Sequence, residues 1–495
     1  MKKWKCDFLG TYLKRLWNDD LVNSNQKNDC SPILKQTLVA LAPLLLTICS
    51  GMTSGYSAIL LPQLKMNSTI NINDEEASWI ASMAALPMAI GSVVGGFLVE
   101  KTGRRATHAI SCMPTLIGWL LIYFASNIEM ILAGRFVTGF CVGLLGSATG
   151  VYIGETSEPA FRGFLLAGIS FSIAFGLFLS HLLGTFLHWR TTALISSLLP
   201  IASQLILLFV PESPSFLAKK QDQEKAEKSF YWCRGHTEQA KKELTIMLER
   251  QKQQVPTSQA TSIRDRIDEL LVPEFLKPLG IIVVFIVANQ WAGINAITFY
   301  TVTIMKKTIG EGVNEYVAML TVDTIRVLMS ILACILLRRL GRRPLAIVSG
   351  IGTSLALISL SASIYLAKFY PNLTFGTYIP MTSLVAYIAF VSVGFVPLPW
   401  AMIGEVFPMK TRSIGSGISS FMAFTAFFTV VKTSPGMLAE LGTSGTFLTY
   451  SVVATVATVF VCFYLPETKG KALHEIEDKF KDKALKTAKV KHDNH

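Results

Sequence analysis

The places where this sequence could do chemistry are polar side chains set inside apolar runs. Gln290-Trp-Ala-Gly293-Ile-Asn295, with Asn289 before it and Tyr300 after it, puts three carboxamides among aliphatic residues. A carboxamide both donates and accepts hydrogen bonds, as a hydroxyl does, so the group suits a polyhydroxylated ligand. Trp400, in Pro397-Leu-Pro399-Trp400, offers a flat apolar face to the C–H side of a ring. The plainer reading is that these side chains only bond neighbouring helices. Asp323 and Arg326 stand three residues apart in a further apolar run. That spacing lets them pair on one helix. The other reading has the arginine donating to a ligand's oxygens, and both stand. Lys432 is another embedded charge, with no partner evident from sequence.

A second set of charges sits at the ends of apolar runs. Glu100, Arg104, Arg105, Glu155 and Arg162 fall in the first half of the chain, and Arg342, Arg343, Glu405 and Arg412 in the second. Carboxylate–guanidinium bridges between helix ends can hold a two-state gate shut and break when it opens. Simple anchoring of helix ends on one side of a membrane is the alternative. Nothing here points to an enzyme. There is no Walker loop, and His108, His181, His188, His236, His474, His492 and His495 are scattered without metal-ligand spacing. No Ser-His-Asp arrangement or paired carboxylates stand out. Neither a metal nor a cofactor is expected.

What must hold these residues in place follows from composition. Of 495 residues, 51% are hydrophobic and only 16% charged, with a mean hydropathy of +0.46. Soluble domains carry about 25% charged residues, so this chain cannot cover a water-soluble globule. Twelve stretches approach the ~20 apolar residues that cross a bilayer as a helix: roughly 38–61, 78–98, 107–125, 129–150, 164–186, 191–210, 277–301, 315–337, 345–367, 379–402, 416–436 and 446–465. The predicted fold class is an all-α membrane protein of twelve transmembrane helices in two six-helix, pseudo-symmetric halves. The divisions are a tail over 1–36, a first half over 37–216, a hydrophilic linker over 217–274, a second half over 275–466, and a basic tail over 467–495. Within the linker, Gln223–Cys233 and Glu238–Gln251 are predicted as short amphipathic helices.

The net charge of +12 is a matter of topology. Of 45 Lys and Arg, only Lys65, Arg190, Lys306, Lys307 and Lys368 fall in one alternating set of connections, and Arg135, Arg326 and Lys432 fall within spans. The rest lie in the other connections and the tails. That asymmetry predicts both termini in the cytoplasm, and nucleic acid is not an expected partner. The tail from Lys479 to Lys491 could touch anionic lipid. No cysteine falls in a predicted outer loop, so no disulfide is expected. The first 36 residues lack a cleavable signal pattern. Two sequons, at Asn67 and Asn372, fall in connections predicted to lie outside.

Repeats support two equivalent halves. Gly103-Arg104-Arg105 recurs as Gly341-Arg342-Arg343, Glu155…Arg162 as Glu405…Arg412, and Pro211-Glu212-Ser213 as Pro466-Glu467-Thr468. Paired halves around a midplane site are the plan of alternating-access carriers.

These motifs, with Gly96-Phe-Leu-Val-Glu100, Gly134-Arg135, Tyr152-Ile-Gly-Glu155, Gln290 to Ala296, Pro397 to Trp400 and Pro466-Glu-Thr-Lys-Gly470, occur in an order that resembles the sugar porters of the major facilitator superfamily. Within that family the chain is most similar to the insect facilitated trehalose transporters. The resemblance implies that Gln290 and Asn295 contact sugar, with Asn289 where a glutamine is commoner. It also marks departures. Ser170 replaces a glutamine, Ala423 and Phe424 replace an Asn-Trp pair, Arg326 replaces a sugar-binding asparagine, and Arg338 replaces an acid. Proton-driven members carry an Asp on the first span, where this chain has Gly55-Tyr56-Ser57. The implied protein is a facilitative carrier of a neutral sugar, trehalose or a hexose such as glucose, acting alone as a monomer in the plasma membrane. A proton-coupled symporter using Asp323 and a non-transporting sugar receptor are the alternatives.

Overall fold

Among the described residues, twelve helices are long and apolar enough to cross a bilayer, as the hydropathy predicts. The computed structural model describes residues 32–66, 70, 72–253, 271–300, 314–367, 369, 378–407, 411–469 and 480. Spans 1 to 6 are Pro32–Met66, Asp74–Thr102, Arg104–Tyr123, Ile128–Thr156, Phe161–Phe186 and Trp189–Leu207. Spans 7 to 12 are Pro273–Tyr300, Glu315–Leu337, Arg342–Ala367, Ile379–Ile403, Ile414–Glu440 and Gly442–Tyr464. Helices satisfy their own backbone groups, which lipid cannot do, so each span is stable as it stands.

Each set of six packs mainly on itself, and the two sets meet where span 5 lies against span 8 and span 2 against span 11. Without a hydrophobic drive between helices in lipid, close approach needs small residues. Spans 1 and 5 show this reciprocally. A Cβ on Gly51 would stand 2.2 Å from the Ile173 carbonyl oxygen, and one on Gly176 would stand 2.0 Å from that of Ile48. Any larger residue would push the spans apart. One turn further along, this approach carries the His181 ring onto the Gly55 backbone.

The linker folds as Pro214–Lys219, Gln223–Arg234 and Glu238–Gln253, so both predicted linker helices are present. Phe230, Ala240 and Leu244 form their small core. Arg234 ties the group to the end of span 4 through the Ser157 carbonyl at 2.9 Å. Asn67, Asn372, the first 31 residues and the stretch from Lys479 to Lys491 (Phe480 apart) lie outside the described residues, as does the Arg338 side chain.

Candidate functional site

Span 7 stops being a regular helix after Gln290, at a turn over Trp291–Gly293. Gly293 has φ +90, a left-handed conformation open to glycine, and a Cβ there would meet Tyr450 at 2.4 Å. The turn frees the Ala292 carbonyl, which accepts from the Tyr387 hydroxyl at 2.8 Å. It also folds two carboxamides together: Asn295 Nδ2 donates to Gln290 Oε1. Gln290 is buried and Asn295 half-buried.

Asn289 does something different. Its Nδ2 donates to the Phe395 carbonyl at 2.8 Å, inside a π-helical segment, Val391–Phe395, that interrupts span 10 ahead of Pro397. Ser349 completes the repair, donating to the Phe390 carbonyl at 2.6 Å and accepting from the Phe395 N–H at 2.8 Å. A broken helix at membrane depth needs such substitutes for its lost backbone bonds. Trp400 follows the break, 37% exposed, with its ring centroid 5.7 Å from that of Phe424. Ser170 is half-buried on span 5, in the opposite half.

The embedded charges are arranged otherwise than their spacing predicts. Asp323 does not pair with Arg326. Its Oδ2 lies 2.5 Å from Nδ1 of His181, on span 5 of the other half. The close packing of spans 1 and 5 delivers the imidazole already desolvated, and Nε2 is held at 3.0 Å from the Gly55 carbonyl. Arg326 instead donates from Nη1 to Thr298 Oγ1 at 2.8 Å. Arg135 is fully buried in a cage of neutral oxygens. Nη1 reaches the Thr53 carbonyl at 2.6 Å, Nε the Ile80 carbonyl at 3.3 Å, and Nη2 the Ser57 hydroxyl. Lys432 does have a partner. Its Nζ stands 3.8 Å from the centroid of the Trp79 ring, across the two halves, a cation–π geometry. Ser78 Oγ donates to the Lys432 carbonyl at 3.3 Å beside it.

At the opposite membrane face the repeated motifs become two matching clamps. Arg104 bridges Glu155 at 2.9 Å, and Arg342 bridges Glu405 at 2.9 Å. Glu155 also accepts from Ser213, and Glu405 from Thr468. The N–H groups of Arg104 and Arg105 donate to Glu212 at 2.9 and 3.0 Å, and those of Arg342 and Arg343 to Glu467 at 2.9 and 3.1 Å. A carboxylate on the free N–H groups of a helix start is both cap and dipole partner. Arg105 reaches the Leu207 carbonyl at 2.8 Å, and Arg343 that of Cys462. Every one of these bonds stays within its own half. Arg162 donates to the Ser157 carbonyl at 3.3 Å, Glu100 meets Lys219 at the surface at 3.4 Å, and the side chain of Arg412 lies outside the described residues.

His181, Thr298, Tyr387 and the capping roles of Glu212 and Glu467 escape sequence reasoning. Each depends on a partner far away in the chain. For the two glutamates a signal existed, since both stand in the repeated Pro-Glu-Ser/Thr motif.

Two six-helix halves, symmetric clamps on one face and two broken spans lined with carboxamides define a membrane carrier of the major facilitator fold. A profile of the family "Sugar (and other) transporter" matches residues 36–480, and the chain belongs to that family. The facilitated trehalose transporter of Apis mellifera ligustica is 32% identical over 96% of this chain and 94% of its own. That of Bombyx mori is 33% identical over 90% and 86%. Among solved structures, the proton:xylose symporter XylE bound to 6-bromo-6-deoxy-D-glucose superposes with a TM-score of 0.74 at 20% identity, covering 91% of this chain and all of that one. The inward-open form of XylE from E. coli gives a TM-score of 0.72. At that identity the likeness is one of fold. These relatives are transporters, and the protein is a sugar transporter rather than an enzyme.

Proposed function

We propose that the protein moves a neutral sugar downhill by alternating access, trehalose first and a hexose such as glucose second. The observation that carries this reading is the Gln290–Asn295 carboxamide pair at the break of span 7. Two amides bonded to each other inside a membrane span can exchange that bond for two to a sugar hydroxyl pair. The names of the relatives at 32% and 33% identity support trehalose. Gln290, Asn295 and Trp400 are assigned to sugar contact, with Ser170 from the other half and Arg326 setting preference. Asn289 joins them as the residue that fixes span 10 beside the site. Ser57, which accepts from Arg135, stands where proton-driven relatives carry an acid, and a hydroxyl cannot titrate near neutrality; this favours uniport.

The same reading puts both termini in the cytoplasm, the protein in the plasma membrane as a monomer, and glycans on Asn67 and Asn372. It places the gate at the cytoplasmic clamps, formed by Glu100, Arg104, Arg105, Glu155 and Arg162 with Arg342, Arg343, Glu405 and Arg412. Uptake of labelled trehalose and glucose into oocytes, with and without a proton gradient, tests it. Saturable uptake that stops at equal sugar concentrations inside and outside, whatever the gradient, is expected. Accumulation driven by the gradient would replace uniport with symport, and uptake of neither sugar would overturn the substrate.

A further inference from the structure

Hydrogen-bond arithmetic at His181 leaves no freedom about protons. Nε2 lies 3.0 Å from the Gly55 carbonyl oxygen, which can only accept, so Nε2 carries a hydrogen. Nδ1 then faces Asp323 Oδ2 at 2.5 Å. Both atoms hold a lone pair, so the contact needs one further proton between them, whether written as imidazolium and carboxylate or as imidazole and carboxylic acid. Remove that proton and two lone pairs oppose each other in a site where the side chains are 0% and 4% exposed. A low dielectric makes such a mismatch expensive. The contact is therefore formed only with a proton bound.

Its position gives the proton a side. His181 lies five residues before the end of span 5 at Phe186, and Asp323 eight residues after the start of span 8 at Glu315. At 1.5 Å per residue these are about 8 Å and 12 Å from the helix ends opposite the clamps. Span 5 and span 8 belong to different halves, so the pair must separate when the halves part on that side. Among the described residues, the charged and titratable groups on the surrounding spans have partners of their own. Span 8 adds Arg326, bonded to Thr298. Span 10 adds Tyr387, bonded to the Ala292 carbonyl. Span 1 adds Tyr56, bonded to the Trp189 carbonyl. Span 4 has Arg135 in its own oxygen cage, and span 6 has Arg190, bonded to the Ala125 carbonyl.

We propose that His181 and Asp323 form a proton-binding site that latches the outer side of the interface, so that outside pH sets how readily the outer mouth opens. Once the halves part, both groups meet outside water, and the proton that the contact required can leave to it. Closing again requires a proton taken from the outside. While the inner mouth is open the latch stays shut, so that proton never reaches the cytoplasm. Outside pH is thus a regulator and not a driving force. The inference rests on the carrier reading and topology given above.

Ser78 reports opening without any sugar, since it is buried (8% exposed) against Lys432 of the other half. The full-length Ser78→Cys chain is labelled in cells with an impermeant maleimide at outside pH 5 to 8, counting only labelling above the parent chain. The same is done with Asp323→Asn added. An asparagine amide donates to neutral Nδ1 and closes the contact without a titrating proton, so that chain also supplies the thiol's own pH dependence. His181→Gln, whose amide donates to the carboxylate, is a second reference of the same kind. The ratio of labelling rates, Ser78→Cys over either reference, is expected to rise with pH, at a limiting slope of about tenfold per unit for one proton. A flat ratio against both references overturns the proposal. So does a ratio that follows cytoplasmic pH, or tracer sugar driven above equilibrium by a proton gradient. In the unsubstituted chain, apparent KM for outside sugar should fall as outside pH rises and ignore inside pH; no dependence would likewise overturn it. Labelling needs no sugar, so absence of flux would count against the carrier reading alone.

Discussion

Nδ1 of His181 and Oδ2 of Asp323 lie 2.5 Å apart across the interface of the two halves, although 142 residues separate them in the chain. The consequence for Asp323 is a buried partner; for Arg326 it is a direct bond to Thr298 in place of one to the carboxylate. Removing one member of a buried pair typically costs about 3–5 kcal/mol, whereas replacing both with apolar groups is close to neutral. Asp323→Leu is therefore expected to lower the melting temperature of the detergent-solubilised protein sharply. Adding His181→Leu should restore most of it. Additive losses in the double variant would show that the two side chains do not interact.

Gln290→Ala removes one partner of the carboxamide pair and leaves Asn295 without its acceptor. Flux is expected to fall at least about tenfold, the equivalent of one or two hydrogen bonds, while surface expression measured by biotinylation stays unchanged. Undiminished flux would move the sugar site elsewhere.

Arg326→Asn replaces a fixed cation with the residue that hexose carriers hold at this place by resemblance. Glucose uptake is expected to rise relative to trehalose by about fivefold or more, about 1 kcal/mol of selectivity. Equal scaling of both sugars would make Arg326 a packing residue.

The clamps predict a response to acid. Burial pushes the Glu467 carboxyl up, but the N–H groups of Lys469, Arg342, Arg343 and Thr468 outweigh it and hold it below its ordinary 4.5. A carboxylate depressed on folding contributes stability that is complete above the ordinary value and is lost as pH falls through the lower one. Stability should be level with respect to this group above about pH 4.5 and fall in more acid solution. In Glu467→Gln that acid limb should shrink, as followed by thermal unfolding of the purified protein; an unchanged limb would assign the acid sensitivity elsewhere.

Much of this architecture can be read from the chain because its causes are local. Twenty apolar residues must be a helix in lipid wherever they occur, and the repeated Pro-Glu-Ser and Pro-Glu-Thr mark equivalent glutamates, although the helix starts that these cap stand more than a hundred residues earlier. The arrangement inside the membrane is less legible. Asp323 and Arg326 have the spacing of a pair, yet a glycine-guided approach of spans 1 and 5 brings a better partner from the other half. Asn289 sits beside Gln290 in sequence, but its carbonyl partner, Phe395, is fixed only by the π segment of span 10. No periodicity carries information about a partner a hundred residues away.

The clamps have one more consequence. Arg104, Glu155, Glu212 and Ser213 close their bonds without any residue beyond the linker, and Arg342, Glu405, Glu467 and Thr468 close theirs without any before it. Each bundle thus holds its own fastening. A chain severed between residues 254 and 270 should yield two fragments that insert separately, keep their inner ends tied, and find each other in the bilayer as a working complex.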